Sequence, residues 1–263
     1  MKTWRLLKLR ANNAFTNMAV DEAVATARIA ERVPNTLRFY RWMPSAVSVG
    51  RFQDLSDTVH IEDCRQHGVD IVRRISGGGT VYHDSQGEIT YSAVVKERDL
   101  GSTDVVYAYN KICNGLIEAA RNLGINANFS PGDQRNCPNL AVSGRKISGS
   151  SQYHKGGVLL QHGTFLLNVD LEKMFTYLRV PWAQTIGNVV CVASEKITSV
   201  KKELNHDVSV QEACEVLING FQKALEMELL EEPLTEHEQQ LASKLQEEKY
   251  SQDSWNLKGS GRF

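Results

Sequence analysis

Hydrophobic residues gather along this chain in two distinct rhythms. Short runs rich in β-branched and aromatic residues, bounded by Gly, Pro, Asn and Asp, occupy residues 36–42, 46–49, 71–74, 80–83, 89–95 and 158–169. Runs of that length and composition predict strands. Elsewhere the spacing lengthens to three and four residues. Val106, Tyr109, Cys113, Leu116, Ala120 and Leu123 follow Thr103 and Asp104 and stop at Gly124, which predicts an amphipathic helix with defined ends. Ser209 with Glu212 opens a second such pattern through Cys214, Leu217, Phe221 and Leu225, and Thr235 with Glu238 repeats the capping signal. A first helix is expected over residues 17–30, with Asp21 and Glu22 in its first turns favouring the helix dipole. With no internal repeat and no low-complexity linker, the pattern predicts one α/β domain over residues 1–263. It carries a mixed sheet with covering helices and closes with a mainly helical segment from about residue 203.

Composition narrows the class without naming a chemistry. At 263 residues the chain is long enough to bury a core without disulfides or structural metals. Thirty basic residues against 31 acidic ones leave no net field to draw the protein toward nucleic acid or an anionic membrane, so any anion site must be local. Cys64, Cys113, Cys137, Cys191 and Cys214 are scattered and contain no CxxC pair, which argues against a disulfide framework and a zinc site and for a reducing cytosol. The opening MKTWRLLKLR builds no apolar signal core, and no run of about 18 apolar residues occurs. A cytoplasmic protein that neither spans a membrane nor leaves the cell is expected.

Three clusters carry candidate chemistry. Arg73-Arg74-Ile75-Ser76-Gly77-Gly78-Gly79-Thr80-Val81-Tyr82-His83-Asp84 sets a triple glycine between a basic pair and a strand-like run. Glycines let backbone amides approach an anion, and guanidinium forks match phosphate or carboxylate; a flexible turn between strands is the plainer reading. It is not a P-loop, because no Gly-Lys-Ser/Thr follows. Ser143-Gly144-Arg145-Lys146-Ile147-Ser148-Gly149-Ser150 surrounds two cations with small residues, leaving the Lys146 amine accessible; a solvated turn with ordinary charges would look the same. Gln161-His162-Gly163-Thr164 interrupts an apolar run, where His162 is either a hydrogen-bonded core residue or a catalytic one. His83 and Asp84 are too few for a zinc cage, so no metal ligands are assigned.

In this order and spacing the clusters resemble the lipoate–protein ligase A family: Arg73 to Asp84, Arg145 to Ser150, and His162 to Leu167. Asn17 to Glu22, Val49 to Gln53, and Lys249 to Ser251 with Trp255-Asn256 look like further family segments, so the likeness spans nearly the whole chain. The resemblance implies the catalytic-domain fold shared with biotin–protein ligases. It implies a two-step reaction in which ATP, with Mg²⁺ on its phosphates, activates lipoate as lipoyl-AMP and a carrier lysine takes the lipoyl group. Carried over by position, Lys146 is the catalytic residue and touches both ATP and lipoate. Arg74, Gly79, Thr80, Val81 and Tyr82 bind ATP, and Gly77 and Gly78 border the lipoate channel. Expected carriers are lipoyl domains of 2-oxoacid dehydrogenase E2 subunits or the glycine-cleavage H protein. Because the chain stops at Phe263, a separate accessory subunit is also expected. Two alternatives remain open. Octanoyltransferases of the same superfamily pass an acyl group from acyl carrier protein through a cysteine thioester; this chain has Leu159 and Pro131 where two branches place that cysteine, with Cys137 nearby. The other is a lipoate- or nucleotide-binding module without chemistry.

Overall fold

The computed structural model describes residues 2–102, 104–132, 138–183 and 185–257. Its strands are β1 (Lys2–Asn12), β2 (Thr36–Trp42), β3 (Ala46–Val49), β4 (Asp70–Arg73), β5 (Val81–His83), β6 (Glu88–Lys96), β7 (Asn128–Ser130), β8 (Asn139–Val142), β9 (Arg145–Lys155), β10 (Val158–Leu166) and β11 (Met227–Glu231). The longest helices among the described residues are α1 (Ala14–Ile29), α2 (Val105–Asn122), α3 (Val210–Leu225) and α4 (Glu236–Leu245). Eight strands form one mixed sheet in the order β11-β1-β2-β6-β10-β9-β8-β7, and β4-β3-β5 form a smaller one. This is the mixed sheet with covering helices that the sequence and the family resemblance lead one to expect.

Alternation within the central strands explains where the site lies. Ile89, Tyr91, Ala93 and Val95 of β6 and Leu159 and Phe165 of β10 face a core built with α2 and α3, around Ile112, Leu116, Leu217 and Phe221. The opposite face packs under α1 and α4, where Val94, Val158 and Leu160 meet Met18, Ala23 and Val24. Along that second face β10 changes from apolar Val158 and Leu160 to polar His162 and Thr164, and β6 places Thr90 and Ser92 beside them. A strand covered on both faces reads as a nearly continuous hydrophobic run, and a polar residue inside it marks where the cover ends. The two helices of the first face approach closely through glycine. A Cβ on Gly220 would overlap the Gly115 carbonyl oxygen and stand 2.6 Å from the Ala119 nitrogen.

Several elements depart from expectation. Helix α1 begins at Ala14 because Asn13 caps it, accepting from the Thr16 amide at 2.8 Å. Asp21 and Glu22 therefore lie in its middle turns, so their role is not to complement the dipole. The C-terminal segment is interrupted by β11, which pairs in parallel with β1. Neither strand stands out in the sequence. Met227–Glu231 reads as good helix former, and Lys2–Asn12 lacks clean alternation; pairing with each other overrides local preference. The capping signals hold. Ser209 accepts from the Glu212 amide, and Thr235 with Glu238 forms a full reciprocal box. Thr103 lies outside the described residues; Asp104 caps α2. No described helix is long and apolar enough to cross a membrane.

Candidate active site

A cleft of about 630 Å³, counting its open mouth, lies between the polar end of β6 and β10 on one side and the small sheet on the other. Met18, Tyr40, Trp42 and Val81 give it an apolar wall. Its polar wall carries Ser48, Arg74, Gly78, Gly79, Thr80, His83, Lys146, Gly149, Ser150, Ser151 and His162. The three sequence clusters, up to about ninety positions apart, thus share one cavity. Gly77 and Tyr82 are not part of the lining. On β5 the side chains of Val81 and His83 face the cleft and that of Tyr82 faces away, as alternation requires. Tyr82 packs against Tyr177 with ring centroids 5.1 Å apart, and burial pushes its phenol up to about 12.

Both members of the arginine pair donate to backbone carbonyls, and Arg74 also lines the cleft. Arg73 is fully buried and donates to the carbonyls of Gly50 (3.0 Å), Gln53 (2.8 Å) and Trp255 (3.2 Å). Arg74 donates to the carbonyls of Ser48 (2.9 Å), Gly77 (2.8 Å) and Gly79 (2.6 Å). The Arg74 guanidinium thus holds the glycine loop in shape from beneath, with Gly78 at φ 85° where other residues are strained, while Arg73 ties the 50–53 turn to the Trp255 carbonyl. Gly50 lies under this loop. A Cβ there would overlap the Gly78 carbonyl oxygen and stand 2.9 Å from its carbon. Gly50→Ala is therefore expected to push the loop outward and lower turnover about 100-fold while the chain stays folded, since displacing a positioning element by an ångström costs on that order. Turnover and a thermal melt of the variant check this.

Two buried histidines end on the cleft. His83 sits between Glu88 Oε1, 2.7 Å from Nδ1, and Ser48 Oγ, 2.8 Å from Nε2, and stacks on Trp42 at 4.0 Å. His162 sits between Asp21 Oδ2, 2.9 Å from Nδ1, and Ser76 Oγ, 2.6 Å from Nε2. Burial drives the His162 imidazolium down despite the neighbouring Asp21. Burial also resists ionisation of Asp21, but the Arg38 guanidinium at 2.6 Å and His162 overturn that and hold the carboxyl below its usual range. In the sequence Asp21 reads as a residue of a helix terminus, and no motif singles out Arg38, Ser48 or Glu88. Their one signal was a charged or polar residue inside an apolar run. His83 and Asp84 diverge, Asp84 pairing with Lys173 at 2.8 Å. Among the described residues no three His, Cys, Asp or Glu side chains converge as metal ligands would.

Lys146 opens β9 at the cleft. Its amide donates to the Lys196 carbonyl at 2.8 Å, its carbonyl accepts from Thr198 at 2.9 Å, and its ammonium lies across Gly149, where a Cβ would come within 2.6 Å of Nζ. None of the described cysteines lines the cleft. Cys113 is buried near Gln161 with its thiol pushed up to about 11, Cys64 is pushed up to about 12, and Cys191 is exposed on the helix Ile186–Ser194. Cys137 lies outside the described residues.

Residues 13–222, which hold every cluster just described, match the family described as the lipoyl protein ligase A/B catalytic domain. The chain belongs to the lipoyl protein ligase A/B family. It is 37% identical to octanoyltransferase LipM of Symbiobacterium thermophilum, over 97% of this chain and 98% of that one. It is 34% identical to octanoyltransferase LipM of Brevibacillus brevis, over 98% and 100%. Among solved structures it is similar to the bi-partite lipoate protein ligase of Thermoplasma acidophilum, determined with that organism's E2 lipoyl domain, at a TM-score of 0.85 and 27% identity over 100% and 99% of the two chains. The protein is thus an enzyme of the lipoate ligase and transferase family. The expectation of an ATP-dependent lipoate ligase is overturned: the more similar relatives, matched almost end to end, are octanoyltransferases.

Proposed function

We propose that this enzyme moves an octanoyl-class acyl chain from the thioester of acyl carrier protein to the ε-amine of a lysine on a lipoyl domain, without ATP. The observation that carries the reading is the composition of the cleft: an apolar wall of Met18, Tyr40, Trp42 and Val81 beside a single lysine, Lys146, in the lining. Each methylene of a straight chain buried against that wall contributes about 0.8 kcal/mol, so a chain of this class binds by its tail while the carbonyl reaches the polar side. There the Lys146 ammonium offsets the charge that grows on the carbonyl oxygen as the carbon turns tetrahedral. Lipoyl domains of 2-oxoacid dehydrogenase E2 subunits and the glycine-cleavage H protein present the required lysine. The similar Thermoplasma ligase is bi-partite. A thioester is already activated and leaves no adenylation step for an accessory subunit to complete, so this chain acts alone.

A two-step transfer needs a thiolate to carry the acyl group. The four described cysteines are absent from the cleft lining, and Cys137 directly precedes Pro138, which is part of it. Cys137 is the nucleophile in this proposal. Enzyme quenched in acid after mixing with octanoyl-thioester donor is expected to carry one octanoyl group on Cys137, removable by hydroxylamine and absent from Cys137→Ala. Transfer by Cys137→Ala at the wild-type rate would contradict the intermediate.

A further inference from the structure

The hydrogen bonds at His162 have a direction that follows from counting donors. Asp21 Oδ1 takes Arg38 Nη1 at 2.6 Å; Oδ2 takes the Tyr40 hydroxyl at 3.0 Å and faces His162 Nδ1 at 2.9 Å. A carboxylate surrounded by these donors is ionised and accepts only, so the His162 nitrogen facing it carries its proton. That leaves Nε2 as an acceptor. The Ser76 hydroxyl, 2.6 Å away, donates to it, and Ser76 Oγ accepts in turn from the Ser151 hydroxyl at 2.8 Å. Every hydrogen in this chain points inward, from the cleft wall to a base buried beneath it. Ser76 is fully buried, whereas Ser151 lines the cleft.

The second histidine shows what such a chain looks like when its outer end is blocked. Ser48 Oγ, hydrogen-bonded to His83 Nε2, accepts from Arg74 Nη1 at 3.0 Å, and a cation on that oxygen suppresses its basicity. Among the described residues Ser151 Oγ has the Ser76 hydroxyl as its partner and no such cation. It stands two residues along β9 from Gly149, over which the Lys146 ammonium lies, so oxyanion stabiliser and proton outlet are separated by about 7 Å of strand.

Resting on the acyl-transfer reading, the geometry points to a proton relay. Ser151 Oγ takes the proton of the attacking lysine amine, Ser76 Oγ passes one inward, and His162 Nε2 receives it. The amine nitrogen bonds to the acyl carbon, the carbon–sulfur bond breaks, and its electron pair leaves on sulfur. The imidazolium, held by Asp21, returns a proton along the same serines to that thiolate, so thioester and amine become amide and thiol. Ser76, His162 and Asp21 act through Ser151 and are positioning and relay residues.

Single-turnover octanoyl transfer from acyl carrier protein to a lipoyl domain, measured across pH for wild type, His162→Gln and Ser151→Ala, tests this. Glutamine can accept from Ser76 and donate to Asp21 but cannot hold a proton, so its melting temperature reports structure and its pH profile reports the relay. The charged and titratable groups around His162 are Asp21 on α1, Arg38 on β2, and Arg74 and His83 across the cleft, and all remain in both variants. Both variants are expected to transfer about 100-fold more slowly, and the rise of wild-type rate with pH is expected to flatten in His162→Gln. Wild-type rate and wild-type pH profile in either folded variant would overturn the relay alone. No transfer by wild type would overturn the acyl-transfer reading itself.

Discussion

On the acyl-transfer reading proposed above, replacing Lys146 with alanine is expected to lower octanoyl transfer by about 10²–10³-fold, the usual cost of removing one group that stabilises a developing oxyanion. The loss falls on kcat, because the ammonium meets a charge that exists fully only in the transition state. Binding of the acyl tail to the wall of Met18, Trp42 and Val81 is unchanged. The backbone bonds of this position to Lys196 and Thr198 are kept in the variant, so the chain stays folded. Steady-state kinetics with a thermal melt separate these effects. A kcat within threefold of wild type would show that Lys146 is an ordinary surface charge.

The largest stability effect is expected far from the cleft. Arg5 on β1 and Glu238 on α4 are buried and joined by two hydrogen bonds of 2.8 and 2.5 Å, which fasten α4 to the second strand of the main sheet. Removing one partner leaves a buried charge unpaired, so Glu238→Ala is expected to cost about 3–5 kcal/mol and lower the melting temperature by roughly 10 °C. A loss below about 1 kcal/mol would show that water reaches Arg5. The same pair gives stability a pH dependence of definite sign. Burial resists ionisation of Glu238, but the bonds from Arg5 and Thr235 overturn it, and its carboxyl, like that of Asp21, lies below its unfolded value of about 4. As pH falls the unfolded chain binds these protons first, so this stability is complete above about pH 5 and is lost below pH 4. His162, also lowered by its burial, adds an earlier decline starting near its unfolded value of about 6.5. Urea midpoints between pH 7 and pH 3 read both stages.

The strands and helices with strong local signals were legible in the sequence: β2, β3, β6 and the start of β10 closely, α2 and α3 through their caps. So was the assembly of a site from the triple-glycine, Arg-Lys and His-Gly clusters. The direction of the arginines was not legible. A basic pair beside glycines has the same composition whether its forks reach a phosphate or backbone carbonyls, those of its own loop for Arg74 and those of the 50–53 turn and Trp255 for Arg73; only the fold decides. Asp21 and Arg38 were equally hidden, because their partnership crosses from α1 to β2 and neither residue carries a motif. His162 was weighed as either a core residue or a catalytic one, and it is both buried and at the cleft wall. The choice between ligase and transferase lay beyond the motifs, which the two activities share; it was corrected by relatives matched over nearly the whole chain.

The measurement that bears most directly on the account supplies the purified chain with a lipoyl domain under two conditions: octanoyl–acyl carrier protein without nucleotide, or free lipoate with ATP and Mg²⁺. Gain of one octanoyl group on the domain in the first and none in the second is the predicted result. Modification only in the second would contradict the account and restore the adenylating chemistry.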